Sequence, residues 1–563
     1  MIGEFSPGLI LIVGALLVPL LRGHLRSAYM LALPGLAFWY LLGLDHGSFG
    51  QIQTAGTTLV TLRVDKLSLI FGYIFLVAAF LGVLYALHVD DTLQHVAGLI
   101  YAGSAVGAVF AGDLITLFIF WEGTAIASVF LIWASRTETA YRAGLRYLVI
   151  QVGSGVLLLA GAIVHYRQTG SIAFDHIGLS SLASWLIFLS FGIKCAFPLM
   201  HNWLQDAYPE ATVTGTVMLS AFTTKLAVYA LARSYSGTEI LVPIGAAMTA
   251  FPIFYAVIEN DLRRVLAYSL NNQLGFMVVG IGIGTEMAIN GTVAHAFSHI
   301  LYKALLFMSM GAVLFRVGTI KGSELGGLYK SMPWTASFCI VGAASISSFP
   351  LFSGFISKAL IISAAMDGGY FWTWLVLLFA SAGVFHHSGI KIPYFAFFAH
   401  DSGKRCDEAP GNMLCAMAIT AALCVLIGLF PWQLYALLPY AVNYAPYTVE
   451  HVVTQMQLLM FSALAFTVLM RTGIYPPELR STNVDFDWFY RKGGKGLAVA
   501  TGGALQTAWD GFVTASRRAT RQVIAGIYRH HGPEGMLART WPTGDMTFWT
   551  TVILAACLIL AYF

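Results

Sequence analysis

Ser190-Phe-Gly-Ile-Lys194-Cys-Ala-Phe-Pro198 and Ser347-Ser-Phe-Pro350-Leu-Phe-Ser-Gly354-Phe-Ile-Ser-Lys358 are apolar stretches that each join a lysine to a helix-breaking proline. A charge at membrane depth is costly, so such a lysine marks a functional site by default. Proline- or glycine-broken apolar helices at corresponding places in two halves of a chain point to the ion path of a transporter. Pro198 also removes the amide that would bond the carbonyl of Lys194, which predicts an opened helix beside that lysine.

The rest of the chain supports a membrane setting. Of its 563 residues 58% are hydrophobic and only 10% are charged. A soluble protein of this length carries far more charge. The apolar runs are too continuous for barrel strands, which alternate, so the fold class is an all-α polytopic membrane protein. A spanning helix needs roughly 20 apolar residues, which predicts about fifteen or sixteen spans, about 14 of them in a core bundle. The first span lacks a basic leader and a cleavage motif and reads as retained. Basic residues gather after odd-numbered spans: Arg22 and Arg26, then Arg136, Arg142 and Arg146, then Arg263 and Arg264, then Arg316, Lys321 and Lys330, then Lys404 and Arg405. The positive-inside rule therefore puts the N-terminus outside the cytoplasm.

The six cysteines form no Cys-x-x-Cys pair, so no zinc or iron–sulfur site is expected. Gly280-Ile-Gly-Ile-Gly284 ends a span and lacks the strand–turn–helix setting of a nucleotide loop; small residues packing helices account for it. No cofactor, no metal and no nucleic acid is expected.

The boundaries read from the sequence are N-terminal spans over 1–94, a first repeat over 95–235, a second over 236–400 and further core spans over 401–471. A cytoplasmic segment over 472–546 and an anchoring span over 547–563 follow. The segment opens with Pro476-Pro477 and Asp485-Phe-Asp-Trp-Phe-Tyr-Arg491-Lys492. Leu505, Trp509, Phe512, Val513, Val523 and Ile527 then recur at helical spacing, with Arg517, Arg518 and Arg521 supplying charge. That pattern predicts an amphipathic helix from Lys495 to Arg529 lying at the membrane surface.

Seven ionisable residues inside apolar segments are the candidate site: Glu122, Lys194, Lys225, His295, His299, Lys303 and Lys358. Glu122, in Phe118-Ile-Phe-Trp121-Glu122-Gly-Thr124, pairs with Lys194 in the functional reading; as a structural pair it would only fix helix register. Lys194 could instead snorkel to the interface from near its span's end. Lys225, mid-span, cannot do so easily and reads as a proton relay. His295, His299 and Lys303 are spaced i, i+4, i+8 and share one helix face over roughly 12 Å. Zinc is the rival ligand of His-x3-His, but no His-Glu-x-x-His motif accompanies it, and a proton wire is favoured. At Lys358 the break precedes the lysine, whereas at Lys194 it follows, an order an inverted repeat would show. His386, His387 and Lys391 read as interfacial, and Asp113 and Glu259 as solvated span ends.

His201-Asn-Trp-Leu-Gln-Asp-Ala-Tyr-Pro-Glu-Ala211, the Lys225 segment, Asp261-Leu-Arg-Arg-Val-Leu-Ala-Tyr-Ser269 and the His295–Lys303 stripe resemble the antiporter-like subunits of Mrp-type cation/proton antiporters, respiratory complex I and membrane-bound hydrogenases. The resemblance runs from about Asp65 to Lys391. It implies two inverted five-helix repeats, each with a broken helix, and a polar axis at mid-membrane. It matches Glu122 and Lys194 to the first half-channel, Lys225 to the next span, His299 and Lys303 to the connecting stripe, and Lys358 to the terminal lysine. Lysine at both 225 and 358 resembles the D-type subunits of Mrp antiporters best. Gln205 stands where the family signature has proline, which implies a less rigid loop. The tail resembles the lateral helix of the largest complex I antiporter-like subunit but is too short to brace a complex.

The resemblance implies a proton-translocating subunit of a Na+/H+ antiporter in a bacterial cell membrane, with other membrane subunits as partners. The alternative is a proton-pumping subunit of a complex I-type NADH-quinone oxidoreductase or a hydrogenase. A non-conducting scaffold is a third reading, which the cost of burying the lysines opposes.

Overall fold

The computed structural model describes residues 5–54, 56–476, 478–479 and 483–562. Residues 1–4, 55, 477, 480–482 and 563 lie outside them, and with them Pro477 of the Pro476-Pro477 pair and the last residue of the expected anchoring span. The chain falls into two units, Met1–Asn483 and Val484–Phe563.

The first unit opens with α1 (Gly8–Ala15) and α2 (Gly23–Leu42), a hairpin of β1 (Gly47–Thr54) and β2 (Thr57–Val64), and α3 (Lys66–Tyr85). The antiparallel hairpin pairs Gly47 with Val64 and Thr54 with Thr57, and the sequence reading had no strands here. Five crossings follow: α4 (Thr92–Val109), α5 (Leu114–Trp133), α6 (Glu138–Thr169), α7 with α8 (Leu182–Lys194, Asn202–Ala207), and α9 with α10 (Val213–Ala221, Thr223–Ser234). Five more are α11 (Leu241–Ile258), α12 (Leu262–Ile283), α13 (Glu286–Val317), α14 with α15 (Pro333–Ile346, Ser353–Asp367), and α16 (Phe371–Val384) continued by π-helical turns to Phe398. The unit then adds α17 (Gly411–Leu429), α18 (Pro431–Tyr435) and α19 (Val449–Thr472).

The two sets of five repeat each other in detail. Asp113 caps α5 by accepting from the amides of Ile115 and Thr116; Asp261 caps α12 by accepting from those of Arg263 and Arg264. Thr137 caps α6 and Thr285 caps α13, each 32 residues long, and each ends on a left-handed glycine, Gly170 or Gly318. Asp113 bridges to Ala173, and Asp261 to Lys321. The breaks match as well. In Ala196-Phe-Pro-Leu199 and Ser348-Phe-Pro-Leu351 the first and last residues have positive φ, near 60° and 71° in one and 59° and 76° in the other. Phe197 N–H bonds the Gly192 carbonyl and Phe349 N–H the Ala344 carbonyl, both at 3.0 Å. An odd number of crossings starts the second set on the opposite face, so the repeats are inverted.

Among the described residues, eleven helices are long and apolar enough to cross a membrane. The count is below the expected fifteen or sixteen for a physical reason. The breaks shorten α7, α14 and α15, and α12 carries Asn271, Asn272 and Gln273 in its interior. Gln205 lies in the short α8.

The second unit holds α20 (Lys495–His531) and α21 (Thr543–Tyr562). On α20 Leu505, Trp509, Phe512, Val523 and Ile527 are exposed on one side, and Arg517, Arg518 and Arg521 are offset from them by the helical turn.

Candidate proton pathway

The broken helices decide where the polar groups go. A break frees backbone carbonyls that must find donors. Lys225 Nζ reaches back across the α9–α10 interruption to the Ser220 carbonyl at 2.6 Å. Tyr208 takes the Leu219 carbonyl at 2.8 Å, and Tyr101 accepts from the Thr223 amide at 3.0 Å. Lys358 Nζ spans the α14–α15 break to the Ile346 carbonyl at 3.1 Å. Each ammonium thus sits at the negative end of the preceding half-helix.

Lys194, fully buried, turns inward rather than snorkelling. Its Nζ donates to the Trp121 carbonyl at 2.6 Å and to Thr124 Oγ1 at 2.8 Å, and lies 4.3 Å from the centre of the Trp121 ring. Glu122 is partly buried on the same helix, α5, and interacts electrostatically with Lys194. Its Oε1 has no hydrogen-bond partner among the described residues. A Cβ at Gly155 on α6 would lie 1.4 Å from that oxygen, so the carboxylate occupies the space that this glycine leaves.

His295, His299 and Lys303 are fully buried along α13. His295 Nδ1 is 3.1 Å from Ser357 Oγ, next to Lys358, and its Nε2 is 3.4 Å from Tyr302 OH, which donates to Gln273. The rings of His295 and His299 are 6.2 Å apart. Both ring nitrogens of His299 and the Lys303 ammonium have no hydrogen-bond partner among the described residues. Buried polar groups in that condition are normally satisfied by water. Lys225 and Lys358 both interact electrostatically with His295 and His299, and Lys225 with Lys303. The structure therefore brings Lys225, the stripe and Lys358 into one interior cluster, with Lys194 and Glu122 on α7 and α5. Lys225 also lies close to Cys195, the residue after Lys194.

Several residues read as peripheral are not. His387 and Lys391 are fully buried, not interfacial. The π-turns after Val384 carry them inward: His387 bonds Ser388, which bonds Ser269, and Lys391 binds the end of α11. Asp113 and Glu259 are buried, not solvated, because Asp113 also accepts from the Val60 amide and Glu259 from the Asp261 amide and Asn483. Glu478, which no motif marks, pairs with Lys391 at 2.9 Å. The recurrence of Phe-Pro-Leu and Thr-Glu in both halves was the readable signal of the repeat that brings these residues together.

Comparison with known proteins fits this architecture. Residues 111–381 match the family model described as NADH:quinone oxidoreductase/Mrp antiporter, TM. The chain is 30% identical to the D-type Na(+)/H(+) antiporter subunit of Alkalihalophilus pseudofirmus over 57% of its own length and 69% of that protein. It is 27% identical to hydrogenase-4 component B of Escherichia coli over 66% of its length, spanning 62% of that longer protein. Among solved structures, a chain of the Mrp complex from a Dietzia species shares the fold, with a TM-score of 0.78 and 22% identity, over 92% of this chain and 62% of that one. The shared architecture and these similarities together make the chain a multi-span membrane protein of the antiporter-like subunit family common to Mrp antiporters and NADH:quinone oxidoreductase.

Proposed function

We propose that this chain is the proton-translocating membrane subunit of a multisubunit Na+/H+ antiporter. Protons move along Glu122, Lys194, Lys225, His295, His299, Lys303 and Lys358. The observation that carries this reading is the buried cluster of titratable side chains with unpartnered nitrogens on α13, flanked by lysines seated at broken helices. Such groups are expensive in a membrane interior and persist where protons must pass. Segments 95–235 and 236–400 act as the two repeats, 1–94 and 401–471 as flanking spans, and 472–546 with 547–563 as surface helix and anchor. The subunit sits in a bacterial inner membrane with its N-terminus outside the cytoplasm, and it works with other membrane subunits that supply cation exchange.

The likeness to a hydrogenase component supports a second reading, in which the same pathway is driven by electron transfer in a redox complex. Two experiments separate the readings. Lys194→Ala and Glu122→Ala should each abolish sodium-dependent proton exchange in vesicles holding the assembled complex; full retention would refute the pathway. Purification of the intact complex should bring down small membrane antiporter subunits, and iron–sulfur subunits in their place would favour the redox reading.

A further inference from the structure

Beside the pathway drawn above stand titratable side chains that it does not use: His386, His387, Lys391, Tyr475 and Glu478. All belong to the first unit. After Val384 the span of α16 winds on in π-helical turns over Phe385–Lys391, a geometry that is rare and often marks functional sites. The turns seat His387 in the interior with no exposed surface. Its Nδ1 is 2.9 Å from Ser388 Oγ, which donates to Ser269 Oγ at 2.7 Å. Its Nε2 is buried with no hydrogen-bond partner among the described residues. The titratable groups that face it are Lys303, His386, Lys391 and Lys358. His387 thus stands next to both the stripe on α13 and the lysine on α15.

From there polar groups continue outward. His386 stacks on Tyr475, with ring centres 5.5 Å apart. His386 Nε2 and Tyr475 OH are also buried without a hydrogen-bond partner among the described residues. Tyr475 lies close to Glu478, whose carboxylate meets the Lys391 ammonium at 2.9 Å. Glu259 is a second carboxylate beside that ammonium. Lys391 also donates to the carbonyls of Ala256, Val257 and Glu259 at 3.2, 2.6 and 2.7 Å, which fix it in place. Glu478, Tyr475, Ser323 and His400 line a cavity of about 320 Å³. It opens at the surface, where His400 and Gly473 are exposed. A cluster that served packing alone would pair its buried polar atoms with one another. Here they stay open from His387 to Tyr475, the condition that bridging water satisfies.

We propose that His387, His386, Tyr475 and Glu478 form an arm by which the interior cluster exchanges protons with water, Glu478 being the group that meets the cavity. A proton on Lys303 or Lys358 passes through water to His387 Nε2. It moves on by His386 and the Tyr475 hydroxyl to the Glu478 carboxylate and leaves into the cavity. Each group gives up one proton as it accepts one, only N–H and O–H bonds change, and the same steps run backwards for uptake. The inference rests on the proton pathway proposed above and gives it an end.

The test uses the whole purified complex in liposomes. Sodium-driven proton exchange is read from a pH-sensitive dye, and assembly from a native gel. His387→Asn keeps a hydrogen bond to Ser388 and loses the open nitrogen. Glu478→Gln keeps the shape and an oxygen for Lys391. Each should slow exchange by on the order of 10²-fold, and Glu478→Asp, which restores a carboxylate, should recover part of the loss. A second measurement blocks the cavity itself. Tetramethylrhodamine maleimide attached to His400→Cys before reconstitution should slow exchange severalfold against the same variant unlabelled. Wild type treated identically controls for the native cysteines, of which Cys415 and Cys557 are exposed. An assembled His387→Asn or Glu478→Gln complex with the wild-type rate overturns the proposal, and so does a labelled His400→Cys complex that is not slowed. If neither substitution assembles, the labelled cavity decides alone. Lys194→Ala in the same liposomes keeps the two readings apart. If it retains antiport, the pathway fails; if it loses antiport while the arm variants do not, only the arm fails.

Discussion

Gly155→Ala tests whether the position of Glu122 matters to function. A methyl group at residue 155 would sit 1.4 Å from Glu122 Oε1, 2.6 Å from its carboxyl carbon and 3.2 Å from its Cγ. The contact must open to at least 3.0 Å, so the carboxylate moves by more than an ångström. The obstacle is the end of a flexible side chain rather than backbone, and the fold can absorb it. Alanine is intrinsically better than glycine in a helix by about 1 kcal/mol, so stability should hold or rise. Proton transfer should not hold, since misplacing a reacting group by an ångström costs up to about 10²-fold. The assay is sodium-driven decay of a pH gradient in vesicles, normalised to assembled complex. Gly153→Ala is the internal control: it lies on the same helix with open space at its Cβ, and it should keep the full rate. Adding Glu122→Asp to Gly155→Ala withdraws the carboxylate from the methyl and should recover part of the loss. Full activity in Gly155→Ala would mean that the seat of Glu122 does not limit transfer, and the reasoning would be wrong.

Gly354→Ala should behave in the opposite way: its Cβ would meet the Ser345 carbonyl oxygen at 1.8 Å, which is backbone and cannot step aside, so the expected result is loss of assembled complex on a native gel. His299→Leu and Lys303→Met remove buried groups with no protein hydrogen-bond partner among the described residues, so the complex should stay assembled while antiport falls by on the order of 10²-fold; an unchanged rate counts against the stripe. The buried ion pairs Lys391–Glu478 and Arg233–Asp65, both at 2.9 Å, should differ in acid. Burial holds the Glu478 carboxyl above the usual range; Lys391 pulls it down and Glu259 pushes it up, with Tyr475 facing it too. Burial also raises Asp65, but Arg233, Ser68 N–H and Arg63 outweigh it and hold it below the usual range. A raised carboxylate takes up its proton early as pH falls, and a depressed one late. The raised Glu478 carboxyl binds a proton better in the closed state than in the open one, so hydrogen exchange at Glu478 and Leu479, corrected for the intrinsic rate, should fall between neutral pH and about 5, with the β2–α3 junction unchanged and the response abolished by Glu478→Gln.

Much of this was legible because membrane burial leaves a strong trace. A lysine such as Lys225 or Lys358 in an apolar run stands out in composition alone, and the His295–Lys303 stripe follows from helical spacing. The tail helix Lys495–His531 was readable from its periodicity, close to the predicted Lys495–Arg529. What escaped depends on contacts distant in sequence. Lys391 looked interfacial because it ends a span with His386 and His387, yet a π-helical turn and the open end of α11 draw it inside. Glu478 has no local signature, since its partner is far away in the chain. Asp113 looked solvated at a span end, but the β-hairpin, itself unread, covers it through the Val60 amide. Gly155 carried no mark at all; its meaning exists only because α6 packs on α5 at Glu122.

The breaks also alter how the two opening lysines relate. Ala196-Phe-Pro-Leu199 and Ser348-Phe-Pro-Leu351 are equivalent in φ and in hydrogen bonding, but Lys194 precedes its break and Lys358 follows. They are therefore not symmetry mates: the backbone is duplicated and the chemistry has diverged. The counterpart of Lys358, which binds the carbonyl end of the preceding half-helix, is in kind Lys225, which does the same at the α9–α10 interruption. Among the described residues, the candidate pathway then sets one carboxylate, Glu122, among four lysines and two histidines, with His387 facing Lys303 and Lys358 beside them. Charges about 6 Å apart, the spacing of His295 and His299, repel by about 3 kcal/mol at an effective dielectric of 20. Few of these bases can be charged together, so a proton arriving at one end of the cluster favours departure from another. With only one acid to hold it in check, the cluster couples its ends through repulsion. Glu122→Gln should on this reasoning change proton release near Lys358, and not only uptake near Lys194.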